Sequence, residues 1–188
     1  WSKFADIVGR QEIRDALWLS IKTSLMTAII CCIFGVPLAW LLARVEFPGR
    51  RFIRALTTLS MVLPPVVGGI ALLFTFGRRG LIGQYLDSWF GIRIPFTTTA
   101  VVMAQCFVAM PFLVLTVEAA LRQLDSRFEG AARTLGGTRW YVFRRVTLPS
   151  IRPSLFAGIV LAWARALGEF GATITFAGNL PGTTQTMP

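Results

Sequence analysis

The sequence predicts an all-α fold, a polytopic bundle of membrane-crossing helices. Two observations carry that expectation. Of 188 residues, 54% are hydrophobic, and the mean hydropathy is +0.63, beyond what soluble domains usually show. Charge is also unevenly placed, because long charge-free runs alternate with arginine-rich connections. The expected organisation is one membrane unit over residues 1–188, a fragment at both ends, since it starts at Trp1 and shows no cleavable signal peptide.

The segment from Trp1 to Asp15 is mixed and polar, with Trp1, Phe4 and Trp18 suited to a membrane interface. No charge falls between Lys22 and Arg44, which places a first span at about 17–43, long enough for roughly 30 Å of hydrocarbon. Gly35 and Pro37 interrupt it, as membrane helices tolerate when neighbours re-satisfy the backbone. Pro48-Gly49 turns the chain among Arg44, Arg50, Arg51 and Arg54.

A second charge-free span runs over about 55–77. Pro64 and Pro65 in its middle force a kink or an unwound turn. Two readings stay open there: a packing kink helped by Gly68 and Gly69, or a hinge lining a pathway. Arg78 to Arg93 is a loop with Trp89 and Phe90 as interface anchors. The third and fourth spans are placed at about 95–117 and 153–176, and Asn179–Pro188 reads as a polar turn.

Arginine counts orient the spans. The loop after the first and the stretch after the third are the basic ones and belong in the cytoplasm. That leaves the 78–93 loop and the C-terminal tail outside, with Arg78, Arg79 and Arg93 against the trend.

The connection over about 118–152 contains a charged, amphipathic stretch, Asp125–Pro149. Ser126 and Glu129 fit a capping box. Phe128, Ala131, Ala132 and Leu135 recur at helical spacing as one narrow apolar face, and Gly136-Gly137 ends the helix. A second short helix starts at Thr138, carries Trp140, Tyr141, Phe143 and Val146 beside Arg139, Arg144 and Arg145, and closes at Leu148-Pro149.

The fourth span holds an intramembrane charge pair, Arg165 and Glu169, four residues apart on one helix face. Each charge costs roughly 2.5–3.5 kcal/mol at the centre of a lone helix, so both should face the bundle interior or a water-filled cavity. An internal salt bridge and an anion-lining gate are both open readings. Thr173 adds a hydroxyl nearby, and Gly168 and Gly171 permit bending.

Several function classes are excluded or weakened. The net charge of +10 could suggest nucleic acid, but the arginines sit between apolar spans and point to membrane topology instead. With no His, imidazole catalysis and most zinc sites drop out. Cys31, Cys32 and Cys106 lie within apolar spans and read as small hydrophobes. The lysines, Lys3 and Lys22, follow no glycine, so there is no P-loop.

Glu129, Ala131, Ala132, Gly136, Val146, Leu148 and Pro149 resemble the "EAA" loop of bacterial ABC importer permeases. Three residues separate Ala132 from Gly136 and nine separate Gly136 from Val146, as in that motif. Gly130 departs from it, where alanine or glutamate is common. The wording of Glu46–Arg50, Leu63–Val67, Phe76–Gly83 and Ala164–Thr173 is similar to permeases of molybdate/tungstate importers, and much of it is shared with sulfate/thiosulfate permeases.

The resemblance implies the membrane subunit of an ATP-driven oxyanion importer in the bacterial cytoplasmic membrane. It implies a homodimer, two cytoplasmic ATPase subunits docked at the Glu129–Pro149 loop, an external binding protein, and further helices beyond both ends. ATP and Mg would be held by the ATPase, so no cofactor is expected on this chain. Arg165, Glu169, Thr173, Pro64 and Pro65 are the pathway candidates. An ATPase-independent channel or carrier is the competing class, but it gives no reason for an exposed loop of this kind. A membrane-embedded enzyme lacks any nucleophile–base pair or metal-ligand cluster to support it.

Overall fold

The computed structural model describes residues 11–187, the side chains of Glu12 and Ser126 apart. Trp1 and Phe4, expected at the interface, lie outside the described residues; Trp18 is exposed.

The first helix, α1, runs Gln11–Arg44 through Pro37. α2 is Arg50–Val62, α3 is Pro65–Phe76 and α4 is Gly83–Phe90. α5 spans Thr98–Gln123 and passes Pro111 without a break. α6 is Ser126–Thr134, and α7 is Arg139–Val142. A turn of π-helix, Phe143–Thr147, joins α7 to α8, Leu148–Leu167. The short α9 is Gly171–Phe176. Among the described residues, Ile13–Arg44, Thr98–Gln123 and Arg139–Leu167 are each long and apolar enough to cross a membrane.

The interruption expected at Pro64 and Pro65 is an unwound turn that divides the charge-free run at 55–77 into two helices, because Leu63 turns extended (ψ 133°) before Pro64 and Pro65 opens the next helix at its first turn. The sequence readings need correcting at three places. The run at 153–176 is also broken: α8 stops at Leu167 with Gly168 as its cap, so Glu169 lies beyond the helix that carries Arg165. Leu148-Pro149 does not close the amphipathic stretch, since proline is tolerated in a first turn and α8 starts there. Asp125, not Ser126, caps α6, with its carboxylate accepting from the Arg127 amide at 2.9 Å.

α5 is the central element, packed on α1 along one side and α8 along another. Leu113 of α5 is gripped between two glycines: a methyl built on Gly35 would meet it at 3.2 Å, and one built on Gly158 at 3.0 Å. Small residues let membrane helices approach this closely. Two buried clusters result. One gathers Cys31, Ala39, Leu42, Leu113, Val117 and Ala162 around the lower part of α5. The other joins Ala100, Val101, Ala104 and Val108 of α5 to Ala172 and Phe176 of α9, with Leu72 and Leu73 of α3 against it.

Polar side chains stitch the helices inside the bundle. Gln105 of α5 donates to Thr23 (3.3 Å) and accepts from Thr27 (3.0 Å) of α1, and the Trp163 indole donates to Ser24 at 3.1 Å. In hydrocarbon such bonds have no competing water. Cys31, Cys32 and Cys106 are free thiols. The C-terminal segment folds back on α1, where the Met187 amide donates to Ser20 Oγ at 2.8 Å.

The 78–93 loop is built around Asp87, which binds Arg93 at 3.0 Å and Arg78 at 3.4 Å. Hydrogen bonding from Arg93, with the charges of Arg93 and Arg78, holds the Asp87 carboxyl below its ordinary range. That ion cluster is therefore fully formed above the ordinary carboxylate pKa and is lost only as pH falls below it. Trp89 and Phe90 on α4 are exposed.

Candidate coupling loop and intramembrane charge pair

The turn after α6 follows from its glycines. Gly136 takes φ +87°, which L side chains rarely adopt. Its amide donates to the Arg133 carbonyl at 2.9 Å, and the Gly137 amide donates to that of Ala132 at 3.0 Å. These are the two crossed bonds of a Schellman turn. The face expected to be apolar is largely open among the described residues: Phe128 is 63% exposed and Leu135 is 89% exposed. Ala131 is exposed and Ala132 half-buried.

Glu129 does not share that face. It turns inward and is buried, accepting from Arg44 Nη2 at 3.1 Å and from Thr147 Oγ1 at 2.9 Å. One carboxylate thereby ties α6 to the end of α1 and to the π-turn that leads into α8. Arg44 also donates to the Leu124 carbonyl at 3.3 Å, which fixes the entry to α6. Its Nε is buried without a partner among the described residues.

A second arginine cluster lies beside it. Arg50 Nε (2.9 Å), Arg54 Nη2 (3.3 Å) and Arg122 Nη2 (3.3 Å) all donate to the Leu42 carbonyl, which the end of α1 leaves free. Glu118 pairs with Arg54 and, at 2.9 Å, with Arg122. The negative end of the helix dipole favours this gathering of cations. Sequence reading missed Glu118, Arg122 and Thr147 as partners; charged residues bracketing the ends of two spans were the available signal.

The intramembrane pair does form. Arg165 Nη1 lies 2.6 Å from Glu169 Oε2, and the Glu169 side chain is 1% exposed. The other carboxylate oxygen, Oε1, accepts from the Ala172 amide at 2.8 Å and so caps the first turn of α9. Thr173 is turned back onto the Glu169 and Phe170 carbonyls at 3.0 and 2.9 Å. The two helix breaks are neighbours, since a methyl on Gly171 would meet Pro65 Cβ at 3.1 Å. Farther along, a methyl on Gly69 would clash with Thr175 and Ala172, so α3 and α9 pack almost backbone to backbone.

An open, mainly apolar cavity of about 900 Å³ lies between α1, α2 and α5, with Lys22, Thr57, Ser60, Thr98 and Thr99 as its polar lining. Pro64, Pro65, Arg165, Glu169 and Thr173 are not among the residues that line it. The structure therefore gathers the pathway candidates at the paired helix breaks and leaves the cavity to a different set.

Residues 35–188 match the family described as binding-protein-dependent transport system inner membrane component. The chain belongs to that family. It is a multi-pass protein of the cytoplasmic membrane and a translocation subunit rather than an enzyme. Among curated relatives, the molybdenum transport system permease protein ModB of Mycobacterium tuberculosis is 49% identical over 188 residues, covering 100% of this chain and 71% of that protein. ModB of Escherichia coli K12 is 47% identical over 174 residues, 93% of this chain and 76% of that protein. The sulfate transport system permease protein CysT of Salmonella typhimurium is 38% identical over 185 residues, 98% of this chain and 66% of that protein. The family fold is also that of solved importers. An inward-facing MetNI methionine ABC transporter chain superposes with a TM-score of 0.63 at 20% identity, covering 81% of this chain and 68% of its own. A chain of a bacterial ABC transporter that imports alginate gives 0.64 at 18%, covering 89% and 61%.

Proposed function

We propose that this chain is the permease subunit of an ATP-driven importer that carries molybdate, or tungstate, into the cytoplasm. The observation that carries the choice of anion is the gap between 49% identity to a molybdenum permease and 38% to a sulfate permease. Sulfate or thiosulfate is the second reading, favoured by that same 38% over nearly the whole chain. In this reading two copies pair, two ATPase subunits hold ATP and Mg in the cytoplasm, and an external binding protein delivers the anion.

The docking element is the turn of Ala131, Ala132 and Gly136, with Leu148 and Pro149 starting the helix behind it. Its exposed Phe128 and Leu135 offer the apolar contact that a cleft on the ATPase would bury. ATPase closure would pull α6, and the Glu129 bonds would pass that pull to α1 and α8. The deciding experiment reconstitutes the full-length importer with its binding protein and measures ATPase stimulation by molybdate, tungstate and sulfate separately. Stimulation by sulfate alone would move the assignment to the second reading. Stimulation by none, with uptake persisting without the ATPase, would favour a self-sufficient carrier.

Gly136→Val tests the docking element. Valine is strained at φ +87°, and nothing lies within 4 Å of the position to be displaced. The variant should insert at normal abundance yet lose most of the ATPase on co-purification. Full ATPase retention with full uptake would show that the turn is not the contact.

A further inference from the structure

The second arginine cluster ties three helices to one peptide oxygen. Leu42 stands two residues before Arg44 in the last turn of α1, so whatever moves Arg44 moves the Leu42 carbonyl as well. Arg50 and Arg54 reach that carbonyl from α2, and Arg122 reaches it from α5. One neutral oxygen is a poor counterweight to three guanidiniums, because like charges this close repel. Glu118 supplies the missing charge. Among the described residues it is the carboxylate that these arginines meet, paired with Arg54 and Arg122, and its side chain is 6% exposed. Enclosure on that side limits screening by water and salt.

α2 is the element this arrangement can move. It packs on α5 and forms one wall of the cavity of about 900 Å³, through Ile53, Leu56, Thr57, Leu59 and Ser60. Arg50 and Arg54 sit at its base, and the unwound turn at Leu63-Pro64 is at its tip. Hinges are usually a few residues at the end of an element, placed as that turn is. A stiff helix held at its base and free to bend at its tip is a short lever.

We infer that Glu118 is a positioning residue that makes α2 follow the end of α1, so that a pull on the docking turn reaches the cavity wall. This rests on the importer reading above and adds a second stage to the Glu129–Arg44 link. Glu118 acts through Arg54 and Arg122. With its charge removed, the arginines spread and α1 moves without α2.

The test uses the full-length permease–ATPase complex reconstituted with its binding protein. It reads oxyanion-stimulated ATPase activity relative to the unstimulated rate. Glu118→Gln keeps the shape and an acceptor oxygen and removes the charge. It is expected to insert normally, to keep the ATPase on co-purification and to lower stimulation about tenfold, within the usual range of coupling between sites. Arg54→Gln breaks the same pair from its more exposed partner, whose side chain is 35% exposed. It should lower stimulation equally, and it carries the test if Glu118→Gln folds poorly. The decisive combination is Glu118→Gln with Arg44→Met. Two stages of one path should lose together about what either loses alone, roughly tenfold, whereas independent effects multiply to roughly a hundredfold. The hundredfold loss overturns the inference, and so does full stimulation in the single variants. Lowered thermal stability with unchanged stimulation would make Glu118 a purely structural residue and overturn it as well. A wild type that no oxyanion stimulates overturns the importer reading and this inference with it.

Discussion

Arg165→Met alone is expected to cost the folded permease about 3–5 kcal/mol, the usual result of leaving a buried charge without its partner. The Glu169 carboxylate is enclosed, and its two oxygens are divided between Arg165 and the Ala172 amide. Without Arg165 the enclosed carboxyl keeps a single amide donor, in a setting that offers little water. Arg165→Met with Glu169→Gln should recover most of the loss. The methionine fills the space, and the glutamine carbonyl oxygen still accepts from Ala172. Thermal stability of the extracted complex and oxyanion uptake are the two readouts. Because the pair braces the start of α9 and lies away from the cavity lining, both should recover together. Recovered stability with uptake still lost would instead place the pair on the anion's route.

The second large effect belongs to Arg44→Met. This substitution removes the cation bound to Glu129 and, among the described residues, leaves the carboxylate with the Thr147 hydroxyl alone. The site is near the membrane surface, so the helices should still assemble and abundance should stay close to normal. What loosens is the attachment of α6 to α1. The expected readout is a fall of about tenfold in oxyanion-stimulated ATPase activity, within the range typical of coupling between distant sites. Glu129→Gln should be milder, since an amide oxygen still accepts from Arg44 and Thr147. Equal uptake and equal stimulation in Arg44→Met would show that the link carries no motion.

Which of these features could be read before the fold was known follows from their range. Charge-free runs locate long apolar helices because each residue contributes to the pattern locally. The Gly136 turn is likewise local, and so is the break at Pro64-Pro65. The partner of Glu129 is not local: Arg44 is 85 residues away, and nothing in the spacing of the 125–149 stretch names it. Local patterning even pointed the wrong way at Ser126, because Asp125 competes for the same capping role and Glu129 has a stronger partner than the cap. The break at Gly168 was signalled only as permission to bend. It becomes obligatory once Glu169 is committed to both Arg165 and the amide of α9.

The two buried clusters lie on opposite sides of the paired breaks, and α5 is the helix with buried residues in both. Their cooperativity should divide accordingly. The half holding α3 and α9 can open as a sub-global unit while α1 and α8 stay folded on the lower part of α5. Backbone amides of α3 and α9 would then exchange with solvent deuterium together, at a lower free energy than those of α5 near Leu113. Uniform protection across all these helices would mean the bundle opens only as a whole. With the split, this subunit carries a weak plane at the depth of Pro65 and Gly171, so thermal fluctuations would open it outward from that plane and leave the half beside the coupling turn intact.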